Sequence, residues 1–320
     1  MRALRFDRYG SADVLRVEDI PEPSPRVGQA KVRITAVGLN PLDWKVRAGD
    51  LRFIPLFKAP PRGLGTDFAG EIVAIGGGAT DRHVGERVFG SLLPFAREGA
   101  LAEHIVVDYE RILPIPEGID DSTAAALPVA GGTALQGLVD EAGVVAGQRV
   151  LITGAAGGVG HFAVQIAKNL GTEVVGVCSA ANAEFVRELG ADETVDYAVT
   201  DFTRRDDRFD VVFDAAAASN FTAAKRVLSE FGCYLNTGPN AAAIATTAMS
   251  AVIARLTSRQ RAVPIVLRNR PQMWHRLAQL VRSGAMRAHV ERTIALDDVA
   301  NAQRSMETGH GRGKIVVRLR

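Results

Sequence analysis

The pattern of hydrophobic and polar positions changes partway along the chain. Before residue 122 the apolar runs are short, alternate with polar residues and are bounded by glycine, as in residues 31–37 and 70–76. After it, apolar runs such as 149–153 and 173–178 alternate with stretches of helical period. Short glycine-bounded strands are typical of a partly open β-barrel, and alternating strands and helices are typical of a parallel sheet with right-handed crossovers. The pattern therefore predicts an α/β protein that combines the two.

The same pattern predicts three segments. Residues 1–121 form a β-rich domain, and residues 122–268 form a doubly wound parallel sheet. Within the second segment we expect helices at 122–140 and 219–230. Residues 269–320 end in a further strand and are expected to return to the β-rich N-terminal domain.

One run of glycines lies between a predicted strand and a predicted helix. The strand is Val150–Thr153, and apolar residues recur at helical spacing from His161 onward. The turn between them consists of Gly154, Ala155, Ala156, Gly157, Gly158, Val159 and Gly160. Small residues let main-chain N–H groups approach a pyrophosphate, and the start of a helix adds partial positive charge. Because the turn lies between strand and helix, it predicts a Rossmann fold that binds a nicotinamide dinucleotide.

The end of the next strand indicates which dinucleotide is bound. An acid there, about 20 residues beyond the glycines, selects NAD through the adenosine ribose. The chain instead continues from Cys178 through Ser179 to Asn182 without a carboxylate. Since a neutral hydroxyl tolerates a 2′-phosphate, we predict NADPH as the cofactor and Ser179 as one of its contacts. Ser179 is equally suited to cap the following helix, and it could serve both roles.

Further motifs follow in a fixed order along almost the whole chain. They are Gly-Leu-Asn-Pro-Leu-Asp-Trp-Lys at 38–45, Gly-Thr-Asp-Phe-Ala-Gly at 65–70, Gly-Gly-Thr-Ala-Leu-Gln at 131–136, Glu-Leu-Gly-Ala-Asp at 188–192 and Arg-Gly-Lys at 312–314. With these motifs the chain resembles a medium-chain dehydrogenase/reductase of the zinc-free quinone oxidoreductase (zeta-crystallin-like) branch. The resemblance implies a GroES-like catalytic domain beside the Rossmann domain, the nicotinamide in the cleft between them, and a homodimer. It also implies NADPH-dependent reduction of a quinone or an α,β-unsaturated carbonyl.

Zinc-dependent relatives carry metal ligands where this chain has other residue types. By the resemblance, Asn40 takes the place of their first ligand cysteine, and Thr66-Asp67 takes the place of their His-Glu pair. A catalytic zinc needs three ligands of Cys, His or carboxylate type, and no cysteine precedes Cys178. Asp67 and His104 could together hold a metal, but two scattered residues of this kind are more often structural. We therefore predict no metal.

Three polar residues are candidates for the chemistry or for the cofactor phosphates. Asn40 is expected to polarise a carbonyl or orient the nicotinamide, although asparagine before Pro41 is also a common turn residue. Lys45 is expected to donate a hydrogen bond or a proton, or else to be a solvated lysine on a helix face. Lys314 is expected to reach the cofactor phosphates, with solvation at a strand edge as the simpler alternative. Without a Lewis acid, a quinone or an activated C=C bond accepts hydride more easily than a simple ketone, because the charge spreads onto a carbonyl that hydrogen bonds support.

Other cofactor contacts are expected from the resemblance and from strand ends. Thr133 follows two glycines before a helix and is expected at the nicotinamide or the phosphates, or as a helix cap. Tyr197 resembles the tyrosine that packs near the adenosine phosphate. Asn236, Thr237 and Gly238 close a strand, where open α/β sheets bind ligands, although the triplet is also an ordinary turn.

Composition limits the partners. A net charge of +2 with scattered basic residues favours no nucleic acid, and the weakly polar stretch 241–254 is too short to cross a bilayer. Two cysteines and an N-terminus without a long apolar stretch favour a cytoplasmic protein. Residues 241–254 are expected to cover the substrate side of the cleft or to lie in a subunit interface.

Two other functions fit the same residues. An enoyl-thioester reductase needs a long groove or a basic entrance for its substrate. A nucleotide-binding protein with little turnover keeps the glycine turn but loses productive geometry around Asn40 and Lys45.

Overall fold

The chain divides into two compact units. The computed structural model describes residues 1–54, 57, 59–78, 80–238, 247, 249, 258–309 and 311–319. The first unit contains Met1–Val129, Asn269–Gly284 and Ala288–Arg320, and the second contains Ala130–Arg268 and Ala285–Arg287. The division of the chain by function into residues 1–121, 122–268 and 269–320 stays a prediction.

The described strands form three sheets. They are β1 (Arg2–Phe6), β2 (Arg16–Asp19), β3 (Gln29–Gly38), β4 (Arg62–Gly63), β5 (Asp67–Ile75), β6 (Arg87–Ser91), β7 (His104–Asp108), β8 (Ile112–Pro114), β9 (Arg149–Thr153), β10 (Glu173–Cys178), β11 (Glu193–Asp196), β12 (Phe209–Asp214), β13 (Leu228–Asn236), β14 (Arg261–Pro264), β15 (Val290–Ala295) and β16 (Lys314–Arg318). The sheet orders are β2-β1-β4, β15-β16-β3-β5-β6-β8 with β7 also paired to β3, and β11-β10-β9-β12-β13-β14.

The described helices lie between these strands. They are α1 (Pro41–Ala48), α2 (Asp121–Ala126), α3 (Pro128–Leu135), α4 (Gly160–Asn169), α5 (Ala183–Glu188), α6 (Phe221–Ala224), α7 (Pro271–Arg282) and α8 (Val299–Glu307). A π-helical segment, Gln136–Glu141, follows α3. Short 3₁₀ turns occur at Ala12–Val14, Tyr109–Arg111, Ala180–Asn182, Phe202–Arg204 and Leu296–Asp298.

The first unit is built around the long strand β3. This strand pairs with β5, β7 and β16, always antiparallel. The alternation of its residues places Val32 and Ile34 in a core with Phe68 and Ile72 of β5 and Val317 of β16. Since β16 comes from the end of the chain, the C-terminal strand is part of the same sheet as the N-terminal ones.

The second unit is the predicted doubly wound sheet. All its strand pairs are parallel, and β9 lies between β10 and β12, so the order reverses at β9. This is the order in which a dinucleotide-binding fold presents its ligand site at the carboxyl ends of the strands. The buried residues Leu151, Val175 and Val212 form its core. The carboxyl ends of β9, β10, β12 and β13 are Thr153, Cys178, Asp214 and Asn236.

Two predicted helices are wrong in extent. The helix expected at 122–140 is broken into α2, α3 and the π-helical segment, because Pro128 has no N–H with which to continue the hydrogen bonds of α2. The helix expected at 219–230 is only α6, and β13 already begins at Leu228. Apart from Thr247 and Met249, residues 241–254 lie outside the described residues.

No helix among the described residues is long and apolar enough to cross a bilayer.

The contact between β3 and α2 predicts a stability effect. A Cβ atom at Gly38 would lie 2.2 Å from the carbonyl oxygen of Ala125. Because this oxygen belongs to the main chain, it cannot turn away from the new methyl group as a side chain could. Gly38→Ala should therefore lower the free energy of unfolding by about 1–3 kcal/mol, measured by urea denaturation. The matched control is Gly311→Ala, whose methyl group meets only the Glu291 carboxylate at 3.4 Å. Equal stability of the two variants would contradict this packing.

Candidate functional site

One group of candidate residues, in the first unit, lies at the turn that starts α1. Asn40 precedes Pro41, which can open a helix because the first helical N–H has no acceptor within the helix. The main-chain N–H of Asn40 donates to Oδ2 of Asp43 at 2.7 Å, and the N–H of Gly65 donates to Oδ1 of Asp43 at 3.1 Å. The buried Asp43 carboxylate therefore ties the start of α1 to the turn before β5.

The Asn40 side chain is held in one orientation from both ends. Its Nδ2 donates to Oδ2 of Asp67 at 2.9 Å and lies 3.3 Å from the Gly38 carbonyl oxygen and 3.4 Å from Oγ1 of Thr66. Its Oδ1 accepts from Nζ of Lys314 at 2.5 Å. We call Asn40, Asp43, Thr66, Asp67 and Lys314, all of them buried, the Asn40 cluster.

Lys314 is an internal cation of the first unit. Its side chain is 3 % exposed, and its Nζ also donates to the carbonyl oxygen of Leu39 at 2.6 Å. The simpler alternative from the sequence, a solvated lysine at a strand edge, is wrong because the final strand β16 lies inside the sheet beside β3. The role at the cofactor phosphates stays a prediction.

Burial weakens every charge in this cluster. Burial raises the pKa of Asp43 to about 6; the negative charge of Asp67 adds to this, while the hydrogen bond from Asn40 and the charge of Lys314 oppose it. Burial likewise raises the pKa of Asp67, against the charge of Lys314 and the hydrogen bond from Asn40. For Lys314, burial lowers the pKa, and the two carboxylates oppose it. The cluster therefore takes up a proton at higher pH than exposed carboxylates do.

Lys45 lies apart from these contacts, on the half-buried side of α1. Its Nζ is 4.9 Å from the centre of the Trp44 ring. Burial lowers its pKa, and Asp50 partly opposes this. An ammonium whose pKa is lowered releases a proton more easily, which suits the predicted role of Lys45, and that role stays a prediction.

A separate group of candidate residues, in the second unit, lies at the glycine turn between β9 and α4. Gly154 has φ +58°, and a Cβ atom at Gly160 would lie 2.0 Å from the Gly154 carbonyl oxygen. The N–H of Gly157 donates to that same carbonyl oxygen at 2.8 Å, and the N–H of His161 donates to the carbonyl oxygen of Gly157 at 3.0 Å. Only glycine fits at 160, so the turn brings bare main chain to the start of α4. This is a cradle that suits a pyrophosphate.

The predicted adenosine contacts lie beside each other at the end of β10. Ser179 follows β10 directly, and the N–H of Tyr197 donates to the carbonyl oxygen of Cys178 at 3.3 Å. The Tyr197 side chain is 55 % exposed. Sequence reasoning missed Asp196, which the parallel pairing of β10 and β11 places opposite Cys178. Its carboxylate accepts from the N–H of Ala198 at 3.0 Å.

The remaining predicted contacts also lie in the second unit. Thr133 is buried within α3 and does not precede the helix, so the predicted local position is wrong. Asn236 is the last residue of β13, and its Oδ1 accepts from the N–H of Gly238 at 2.5 Å. Oγ1 of Thr237 donates to the carbonyl oxygen of Ala215 at 3.1 Å. These contacts lie within the protein and do not test whether the four residues bind a cofactor. That role of Thr133, Asn236, Thr237 and Gly238 stays a prediction.

Sequence reasoning also missed Asp214, which is fully buried at the end of β12. The signal was present, because an acid closing an apolar strand must find hydrogen-bond donors when it is buried.

The raised pKa of Asp43 predicts how stability depends on pH. Between the ordinary pKa near 4 and about 6, the folded state holds a proton that the unfolded state has lost, so stability falls as pH rises through this range. The free energy of unfolding should therefore lose roughly 3 kcal/mol from this residue between pH 4 and pH 7. Asp43→Asn should flatten that decline in urea titrations. Exposed Asp19 provides the control Asp19→Asn, and parallel curves for wild type and Asp43→Asn would contradict the assignment.

Comparisons with known proteins agree with this architecture. Residues 26–117 match the family model of the alcohol dehydrogenase GroES-like domain, and residues 189–317 match that of zinc-binding dehydrogenases. The chain is 33 % identical to the chloroplast envelope quinone oxidoreductase homolog of Arabidopsis thaliana over 99 % of this chain and 98 % of the relative. It is 31 % identical to the NADPH-dependent alkenal/one oxidoreductase of the same plant, over 99 % of this chain and 79 % of the relative.

A solved structure gives the same result for the fold. The quinone oxidoreductase from Coxiella burnetii superposes with a TM-score of 0.90 at 32 % identity, covering 100 % of this chain and 99 % of that one. These matches confirm the predicted combination of a GroES-like domain and a Rossmann sheet. The chain belongs to the quinone oxidoreductase-like branch of the medium-chain dehydrogenase/reductase superfamily, as its motifs predicted.

Proposed function

We propose that this chain is an NADPH-dependent reductase that transfers hydride to a quinone or an α,β-unsaturated carbonyl without a metal ion. The observation that carries the proposal is the glycine turn at the carboxyl end of β9, where Gly154 and Gly160 leave bare main chain at the start of α4. Family membership supports the choice of reaction, since the relatives named above are called a quinone oxidoreductase homolog and an NADPH-dependent alkenal/one oxidoreductase.

Each proposed cofactor contact has a physical task. Main-chain N–H groups within the turn 154–160 and at the start of α4 hold the diphosphate. Ser179 lies at the adenosine ribose, and Tyr197 lies near the adenosine phosphate. Asn236, Thr237 and Gly238 lie toward the nicotinamide, and Thr133 lies toward the nicotinamide or the phosphates. The bound cofactor supplies the hydride.

The residue types of the Asn40 cluster support a reaction without zinc. Asn40, Thr66 and Asp67 offer an amide, a hydroxyl and one carboxylate, which is a poor ligand set for catalytic zinc. The Lys314 ammonium already occupies the amide oxygen, and its charge repels a second cation at this place. Among the described residues there is also no group of three or more His, Cys, Asp or Glu side chains that could hold a metal ion. The family name that mentions zinc therefore does not fit these side chains.

Without a metal, the acceptor itself has to spread the negative charge. Hydride adds to an electrophilic carbon of the quinone or of the C=C bond, and the carbonyl oxygen gains the charge and then a proton. We propose that Lys45 supplies a hydrogen bond or that proton, because burial lowers its pKa. Asn40 orients the nicotinamide or the acceptor, because the hydrogen bonds of the Asn40 cluster fix the turn before α1.

The end of β10 supports NADPH over NADH. The residues from 178 to 182 carry no carboxylate, and Ser179 leaves room for a 2′-phosphate. Asp196 is the nearest acid in the strand register, and its Oδ1 is engaged by the N–H of Ala198.

Adding one methyl group to the turn should weaken cofactor binding. In Gly160→Ala the new Cβ atom would meet the Gly154 carbonyl oxygen at 2.0 Å, so the main chain of the turn has to move away from its binding geometry. We expect the Kd for NADPH to rise at least tenfold, about 1.4 kcal/mol, by isothermal titration calorimetry. Circular dichroism provides the control for folding. A folded variant with the wild-type Kd would place the diphosphate elsewhere.

A panel of acceptors tests the reaction. NADPH oxidation should proceed with quinones and enals, with a higher kcat/KM for NADPH than for NADH, and should survive dialysis against a chelator. Faster turnover of enoyl thioesters would favour the enoyl-thioester reductase. Tight NADPH binding without oxidation by any acceptor would favour a nucleotide-binding protein with little turnover.

A further inference from the structure

The carboxylate of Asp214 lies fully buried at the carboxyl end of β12. Its Oδ1 accepts from Oγ1 of Thr153 at 2.5 Å and from the N–H of Ala218 at 2.9 Å. Its Oδ2 accepts from Oη of Tyr234 at 2.7 Å and from the N–H of Ser219 at 3.0 Å. A buried carboxylate is costly unless donors surround it, and four donors do so here.

These donors come from separate segments of the second unit. Thr153 is the last residue of β9 and directly precedes the glycine turn. Ala218 and Ser219 lie in the loop after β12, and Tyr234 lies in β13. Asp214 therefore joins three neighbouring segments at the edge of the sheet where the cofactor contacts are proposed.

Each of these connections continues to a proposed cofactor residue. Oη of Tyr234 accepts from Nδ2 of Asn236 at 3.0 Å, and Oδ1 of Asn236 in turn accepts from the N–H of Gly238. The main-chain carbonyl of Asp214 accepts from the N–H of Thr237 at 3.2 Å. A displacement of this carboxylate would therefore displace the whole 236–238 segment.

The loop after β12 also lies against the glycine turn. Oγ1 of Thr153 accepts from the N–H of Ala216 at 3.3 Å. A Cβ atom at Gly154 would lie 3.0 Å from the Cβ atom of Ala216. The next residue, Ala217, has φ +51°, a left-handed conformation that is strained for alanine, and the loop holds it there through Ala218 and Ser219.

We propose that Asp214 is a positioning residue for the cofactor, because its carboxylate sets the spacing between the glycine turn and the 236–238 segment. The inference rests on the proposed function, since it concerns the same dinucleotide site. It adds a residue that touches no ligand but determines the distance between two groups of ligand contacts. Small errors in that distance weaken binding at both ends of an extended ligand.

The Thr153 hydroxyl provides the mildest test of this role. Thr153→Val removes the hydrogen bonds to Asp214 and from Ala216 while the shape of the side chain is kept. The matched control is Thr172→Val in the same unit. Thr172 is also buried, its Oγ1 donates to the carbonyl oxygen of Ala167 at 2.9 Å, and it directly precedes β10 at the opposite edge of the sheet.

We expect the Kd for NADPH to rise about tenfold in Thr153→Val and to stay within twofold of wild type in Thr172→Val. The Kd is measured by isothermal titration calorimetry without acceptor, and the melting temperature of each free protein is recorded alongside. Thr153→Ser keeps the hydroxyl and should bind NADPH as wild type does. In steady state, Thr153→Val should raise the KM for NADPH more than it lowers kcat.

Several outcomes distinguish the inference from the proposed function. If Thr153→Val binds NADPH as tightly as Thr172→Val does, Asp214 is only part of the fold and the inference is wrong. The same holds if Thr153→Ser weakens binding as much as Thr153→Val. Asp214→Asn, which turns an amide N–H toward donors, should give a larger rise in Kd than Thr153→Val. If wild type itself fails to bind NADPH, the proposed function is wrong, whatever the variants do.

Discussion

The contact between Gly154 and Gly160 is the constraint on which the second unit depends. The main chain doubles back so closely after β9 that a methyl group at 160 has no room beside the Gly154 carbonyl oxygen. This close return starts α4 directly above the end of β9, at the point where the strand order reverses. The end of β9 and the start of α4 thereby lie next to each other. The polar residues that end the strands β12 and β13, Asp214 and Asn236, lie at the same edge of the sheet.

Each unit contains a buried network of hydrogen bonds around one charged side chain. The charge is positive in the first unit and negative in the second. In the first unit the Lys314 ammonium is surrounded by a main-chain carbonyl and the Asn40 amide, and Asp67 lies on the other side of that amide. In the second unit the Asp214 carboxylate is surrounded by two hydroxyls and two N–H groups. Low dielectric makes such networks costly when incomplete, so complete ones fix the loops that carry their partners. Both networks hold loops that follow strand ends, after β3 in the first unit and after β12 in the second.

Particular residues show which elements the sequence predicts correctly and which it does not. Strands β9 and β10 coincide with the apolar runs 149–153 and 173–178, because apolar runs between glycines and polar residues leave little choice of period. The glycine turn was predicted equally well, because its small residues stand between a predicted strand and a predicted helix, as a dinucleotide-binding fold requires. The helix across Pro128 was placed wrongly although proline was visible, because an apolar run on both sides gave the same helical period.

The sequence by itself determined the family, the fold class and the glycine turn between β9 and α4, because these depend on local residue types in a fixed order. Only the tertiary structure decided that Lys314 meets Asn40, 274 positions earlier in the chain, and that Asp214 meets Thr153 and Tyr234. Sheet pairing brings these side chains together, and the pattern of one strand carries no information on which distant side chain lies beside it. The partners of a buried charge are therefore properties of the folded chain, although the need for partners is already written in the residue itself.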